Sequence, residues 1–222
     1  MPGRIEWDKV GERLFETGTD RGVIYPYDSA TKNYGKAVAW SGLTGVTESP
    51  SGAEQTALYA DNIKYITLIS AEDFGGSIKC YMYPDAFKEC NGEKEITTGV
   101  TIGQQARKSF GFSYRTLIGN DTEGTEHGYK IHLVYGCLVS VTDKDNTTVN
   151  DSPTGNEMSY DFTSTPINVA AEGCKPTAHV VIDSTALDAE KLKKVEDALY
   201  GSATADGKLL TPDEIIALIT GE

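Results

Sequence analysis

The chain carries three histidines and four cysteines, the side chains that most often ligate metals or act as bases and nucleophiles near neutral pH. Cys80, Cys90, Cys137 and Cys174 have no C-x-x-C spacing and no histidine at metal-ligand distance in sequence, so no zinc or redox motif is present. Cys80 and Cys137 fall inside alternating apolar stretches, which predicts small buried hydrophobes. His127 lies in a turn-rich connector. His132 and His179 alternate with apolar neighbours, which predicts histidines on the outward faces of strands, with no local acid or thiol partner. Residues 143–151 open like a calcium loop. They lack the glycine at its sixth place and the acid at its twelfth, where Thr154 stands, so a solvated loop is expected. Glu72 and Asp73 are adjacent, and adjacent strand residues point to opposite faces, so they do not form an acid–base pair.

No G-x-x-x-x-G-K-[ST] loop and no strand-linked G-x-G-x-x-G occurs. Residues 111–115 (GFSYR) lack the second glycine of a nucleophile elbow and read as strand. No catalytic, metal-binding or cofactor-binding residue is therefore expected, no cofactor either, and the chain is read as a non-enzyme. The net charge of −13 opposes binding to nucleic acid, which needs a basic face. No apolar run approaches the roughly 20 residues of a membrane span, so no membrane partner is expected. The N-terminal stretch MPGRIEW has no charged head followed by an apolar run, and no secretory signal is expected.

The elements that would position these residues are mostly strands. Alternation is clearest at residues 74–83, where Phe74, Ile78, Cys80 and Met82 share a face. It recurs at 109–118, with Phe110, Phe112, Tyr114 and Ile118 inward and Ser109, Ser113 and Arg115 outward. At 129–141, Tyr129, Ile131, Leu133, Tyr135, Cys137, Val139 and Val141 oppose Lys130, His132 and Ser140. Such period-two patterns predict strands buried on one face, and the turn-rich residues 119–128 predict a hairpin between the last two. Further strands are expected at 22–27, 37–46, 64–71, 159–169 and 177–183, with a bulge or close approach at Gly42 and Gly45. Residues 47–62 show neither period and read as a long polar loop, which a compact domain seldom keeps without a use.

Helix signals are few. Residues 84–90 open with Pro84 and stop at Asn91-Gly92. Residues 188–200 place Leu192, Val195 and Leu199 at helical spacing. Thr211-Pro212-Asp213-Glu214 is a capping box. The small-residue link at 201–207 is expected to let the last two helices move relative to each other. The fold class is mainly β, a β-dominated α+β chain.

A series of segments then resembles one family: residues 34–43 (YGKAVAWSGL), 46–54 (VTESPSGAE), 58–65 (LYADNIKY), 71–76 (AEDFGG), 83–87 (YPDAF) and 99–105 (GVTIGQQ). The series continues through 110–124 (FGFSYRTLIGNDTEG), 127–136 (HGYKIHLVYG) and 149–153 (VNDSP). In this order they are similar to the major tail protein (tail tube protein) family of siphophages and prophages of Gram-positive bacteria. The resemblance implies a phage tail-tube fold, two packed antiparallel sheets with a flanking short helix and two C-terminal helices. It implies a β domain over residues 1–184 and a helical C-terminal appendage over 185–222. It further implies a structural virion subunit, made in the host cytoplasm, that joins as a homo-oligomer into hexameric rings. The rings stack into a hollow conduit for DNA ejection, with a tape measure protein and a tail terminator as partners, and phage DNA passes through without specific binding. The family has no catalytic residues to carry over.

Tube proteins carry a loop reaching the neighbouring ring where this chain has residues 47–62. Glu48, Ser49, Pro50, Ser51, Gly52, Glu54 and Tyr59 are therefore the candidate inter-ring contacts, with Tyr59 as an apolar anchor. The acidic balance fits a lumen whose negative walls repel phosphate; charge on the outside, serving solubility, stays open beside it. Two other functions stay open as well. A β-sandwich surface- or carbohydrate-binding module would gather Trp7, Tyr81 and Tyr83 on one exposed face. A hydrolase would assemble distant carboxylates.

Overall fold

The computed structural model describes residues 4–148, 151 and 155–221. Val149, Asn150 and Thr154, on which parts of the calcium-like segment and of the 149–153 match rest, lie outside them. The chain is 46% strand and 12% helix, which places it in the expected β-dominated class. In chain order the strands are β1 (Phe15–Asp28), β2 (Asn33–Tyr34), β3 (Val38–Trp40), β4 (Leu43–Glu48), β5 (Ser51–Gly52), β6 (Gln55–Ala60), β7 (Ile63–Ile69) and β8 (Glu72–Asp73). They continue with β9 (Gly75–Cys80), β10 (Lys94–Thr97), β11 (Val100–Ile102), β12 (Phe110–Asn120), β13 (Gly124–Val139), β14 (Met158–Thr163) and β15 (His179–Asp183). The helices are α1 (Asp85–Lys88), α2 (Ala189–Tyr200) and α3 (Pro212–Thr220). Among the described residues no helix is long and apolar enough to cross a membrane.

Nine strands form one antiparallel sheet in the order β2-β1-β12-β13-β14-β9-β4, with β15 also on β13 and β3 also on β1. The sheet folds over along β13, whose residues 130–134 pair with β15 while Leu138 and Val139 pair with β14. The two expected sheets are thus two halves of one. Between them lies a core of Ile24, Phe112, Tyr114 and Val134 from one half and Ile78, Cys80, Met158, Tyr160 and Phe162 from the other. The helix α1 closes one flank of this core with Phe87, whose ring centroid is 4.5 Å from that of Trp40.

The expectation that β12 and β13 bury one face is corrected. Their opposite face is covered by α2 and α3, where Val23, Tyr25, Ile131, Leu133, Tyr135 and Ile182 meet Val195, Leu199, Leu210 and Ile215. Ser113, expected outward, is consequently buried; His132, also expected outward, is buried on the other face, stacked on Tyr114 across the ladder. The simple alternation along β13 also breaks: Ile131, Leu133 and Tyr135 face the helices, whereas Cys137 and Val139 face the inter-sheet core. A bulge inverts the parity, since Phe110 pairs with Cys137 but Phe112 pairs with Val134. Gly136 takes a φ of 58° there, a backbone state glycine adopts without steric cost. Its N–H donates to the Tyr34 hydroxyl at 2.9 Å, and its carbonyl accepts from the Thr165 N–H at 3.1 Å.

The strand expected at 37–46 is divided by a turn at Gly42, and β4 carries a register shift between Leu43 and Gly45, matching the glycine signal. The capping box forms as expected, Thr211 accepting from the Glu214 N–H and the Glu214 carboxylate accepting from the Thr211 N–H. The link after α2 is a closed turn, not a free connector: Gly201 bridges Asp206, Lys208 N–H donates to the Ala198 carbonyl, and Ala37 N–H donates to the Gly207 carbonyl. Cys80 and Cys137 are buried thiols as expected, and Cys90 joins them.

The largest correction concerns residues 47–62. They are no structureless loop. They supply the end of β4, the strand β5 that pairs with β8, and the first strand of the hairpin β6–β7.

Candidate functional site

The hairpin β6–β7 turns at Asp61 and Asn62, both with positive φ, the backbone state of the tight turn that joins two right-twisted strands. Ladder pairs run from Gln55–Ile69 through Leu58–Ile66 to Ala60–Ile63, with a bulge beside Tyr59. Leu58, Ile66 and Leu68 share one face and are exposed, while Tyr65 and Ile69 are exposed on the other. Tyr59 and Tyr65 expose 71% and 74% of their surface. The hairpin makes no more than isolated contacts with other elements. An isolated two-stranded hairpin is marginal in water, and apolar side chains on both of its faces stay exposed, with no element among the described residues packed over them. Contiguous exposed apolar surface of this kind marks an interaction site.

The candidate contacts of residues 47–62 divide between the root and the arm. Ser49 N–H donates to the Gly75 carbonyl at 2.8 Å. Ser51 and Gly52 pair with Asp73 and Glu72, and Pro50 lines a cleft beside them. Gly52 has a φ of 85° and sits where a Cβ would collide with the Ala71 carbonyl, so the root needs glycine at this point. Glu54 N–H donates to the Ser70 hydroxyl at 2.9 Å. Only Tyr59 of the predicted set lies on the arm, near its turn. The apolar residues of the second strand, Ile63, Tyr65, Ile66, Leu68 and Ile69, were not singled out by the sequence. The signal was there in a β-branched strand with apolar residues on both faces, but that pattern also describes a strand buried on both sides.

Glu48, the last residue of β4, does something else. Its Oε1 lies 3.2 Å from His132 Nδ1 on β13 and 3.4 Å from His179 Nε2 on β15, and the two ring nitrogens are 3.2 Å apart. The Tyr114 hydroxyl on β12 donates to the same oxygen. Tyr114 stacks on His132 at 4.5 Å between centroids, and Phe74 stacks on His179 at 4.7 Å. Burial lowers the pKa of both histidines against the opposing pull of Glu48. Burial, reinforced by the hydrogen bond to Glu48, raises that of Tyr114. On its other side His132 Nε2 is 3.0 Å from Thr116 Oγ1, which donates to Glu16 Oε1 at 2.6 Å. Glu16 in turn accepts from Lys130 at 2.6 Å, and the hydrogen bonds from Lys130 and Thr116 hold its carboxyl below the usual range. The expectation that these histidines are surface residues without acid partners is therefore corrected: His132 is 7% exposed. The acid comes from a strand far away in sequence. His127 likewise has a partner, Glu123, at 2.7 Å.

The aromatics that a binding module would gather do not share one exposed face. Trp7 and Tyr81 are exposed, but Tyr83 packs edge-on against Phe87 and Tyr160 beside the core.

No protein-family model matches the chain, and no curated protein does. Among solved structures the chain is similar to a chain of the six-fold symmetrised baseplate of the anti-feeding prophage (AFP), at 7% identity and a TM-score of 0.38, covering 82% of this chain and 100% of that one. It is also similar to a chain of the PVC sheath-tube complex, an extracellular contractile injection system in its extended state, at 10% identity and a TM-score of 0.31, covering 73% of this chain and 88% of that one. At such TM-scores the likeness carries no argument for this chain.

Proposed function

We propose that the protein is the structural subunit of a phage tail tube, assembling into hexameric rings that stack into a hollow conduit for DNA. The reading takes its identity from the ordered series of sequence segments similar to major tail proteins. The observation that carries it is the apolar arm β6–β7, over which no other element among the described residues packs. Leu58, Ile63, Ile66, Leu68 and Ile69 are each about half exposed there, and burying the remainder of each contributes roughly 1–2 kcal/mol. Association costs of about 4–15 kcal/mol consume most of that gain. One arm on one neighbour is therefore marginal, and ring-on-ring stacking, in which the arms of all subunits engage together, is favoured over a single pairwise contact.

Free sheet edges support the same reading. The first half of β1, before Gly22, has β12 on one side only, and β15 and β4 each pair on one side only. Such edges are hazardous in a monomer and productive in a ring that closes on itself. The arm reaches the next ring, with Tyr59 near its turn and residues 48–54 as its root. The role is structural and involves no catalysis. A tape measure protein and a tail terminator are the expected partners, and the protein ends in the virion.

Sedimentation and negative-stain microscopy of the purified full chain test this. Rings or tubes are expected, at high concentration or with the tail's initiator complex. A chain that stays monomeric under both conditions overturns the reading.

A further inference from the structure

We propose that Glu48 Oε1, His132 Nδ1 and His179 Nε2 form a site for a divalent transition-metal ion, zinc by preference, that ties the end of β4, at the root of the arm, to β13 and β15 of the opposing half-sheet. The three atoms stand 3.2, 3.2 and 3.4 Å apart, one from each of three strands. Donors at zinc's bond lengths of about 2.0–2.1 Å in a tetrahedron lie about 3.3 Å from one another, whereas an octahedral ion of the same size would hold them at about 2.9 Å. Two imidazoles and one carboxylate suit zinc in type as well as in spacing.

Proton bookkeeping supports the same assignment. Thr116 commits its hydrogen to Glu16, so its oxygen accepts from His132 Nε2–H, and the unprotonated nitrogen of His132 is Nδ1. That lone pair faces the Glu48 carboxylate at 3.2 Å, two acceptors opposed in a largely buried place. A proton on His179 Nε2 answers only the contacts of His179. A cation at the centre satisfies all three donors together. The chain from His132 through Thr116 and Glu16 to Lys130 is the outer support that fixes a ligating histidine's tautomer, and Tyr114 orients the carboxylate through a hydrogen bond to Oε1. A cleft of about 800 Å³, lined by Glu48, Pro50, Ala53, Phe74 and His179 among others, gives an ion entry and leaves water the fourth position. Binding is a property of the single subunit and does not rest on the tube reading.

The test uses the full chain, stripped with a chelator and titrated with Zn2+ against a chromogenic competitor, and separately with Co2+. One equivalent of zinc is expected to bind, and Co2+ is expected to give the intense visible bands of a tetrahedral complex. His179→Gln and Glu48→Gln, at half-buried and exposed positions, are each expected to weaken binding at least 10-fold. Thr116→Val, which removes only the support of His132, is expected to weaken it about 10-fold. Free zinc at 100 times the parent's dissociation constant is expected to raise the folded-to-unfolded ratio roughly 100-fold in the parent and no more than about 10-fold in Glu48→Gln. Three results overturn the proposal: no binding, affinity unchanged in both His179→Gln and Glu48→Gln while circular dichroism shows them folded, or an octahedral aquo-like Co2+ spectrum.

Discussion

The strand pair β12–β13 and the hairpin β6–β7 are built from similar residues and meet opposite fates. Phe112, Tyr114, Ile131 and Leu133 are covered on both faces of their sheet, by the opposing half-sheet on one side and by α2 and α3 on the other. Leu58, Tyr65, Ile66 and Leu68 have cover on neither. The first pair owes its order to its own subunit. The second has a fixed turn and a complete ladder, but its side chains await a surface that the chain does not supply. Subunit stability and the proposed assembly would therefore be separable in this protein, since they draw on different strands.

Replacing one residue in each region probes the contrast. Phe112→Ala leaves a cavity between the half-sheets and is expected to cost about 3–5 kcal/mol in denaturant unfolding of the subunit. A much smaller loss there would mean that the double cover is looser than its packing implies.

The helical layer sits between these extremes. Thr211→Ala removes the cap of α3 and is expected to cost about 1 kcal/mol, read as a lower unfolding midpoint. Glu214 adds a pH signature in the same turn. Burial pushes its carboxyl up, but Lys208 at 2.6 Å and the Thr211 N–H at 2.8 Å outweigh this and hold it below the ordinary value. A lowered folded pKa gives stability that is full above the unfolded-state value of about 4.3 and is lost as pH falls through the folded value. Glu214→Gln is expected to flatten that part of the acid limb of the melting temperature, and an unchanged limb would remove the carboxylate from the account.

The smallest effect on the subunit is expected in the arm. Leu58→Ser with Ile66→Ser should shift subunit stability by no more than about 0.5 kcal/mol while abolishing stacked tubes in micrographs. Assembly that survives this double change would assign stacking to another surface, and a large stability loss would mean that the arm packs on its own body.

Much of the architecture was legible along the chain. The face of Phe110, Phe112 and Tyr114, the capping box at Thr211 and Glu214, and the punctuation at Gly42 and Gly45 are local patterns whose physics acts over a few residues. Residues 47–62 were misread because Gln55, Ala57 and Ala60 carry weak strand signals, and the turn at Asp61-Asn62 lacks the glycine that usually announces a hairpin. The alternation at 129–141 misled for a different reason. A single bulge at Gly136 moves Cys137 and Val139 to the opposite face from Ile131 and Leu133, and no period survives an inserted residue.

By itself the sequence determined a β-dominated, acidic chain, its principal strands and its three helices, because alternation, capping and turn chemistry are properties of neighbours in the chain. Only the tertiary structure decided which strands are covered, since burial depends on what the rest of the molecule lays against them. It alone brought Glu48, His132 and His179 within 3.4 Å of one another. They come from β4, β13 and β15, and although β15 pairs with β13, β4 reaches them only because the sheet folds over on itself.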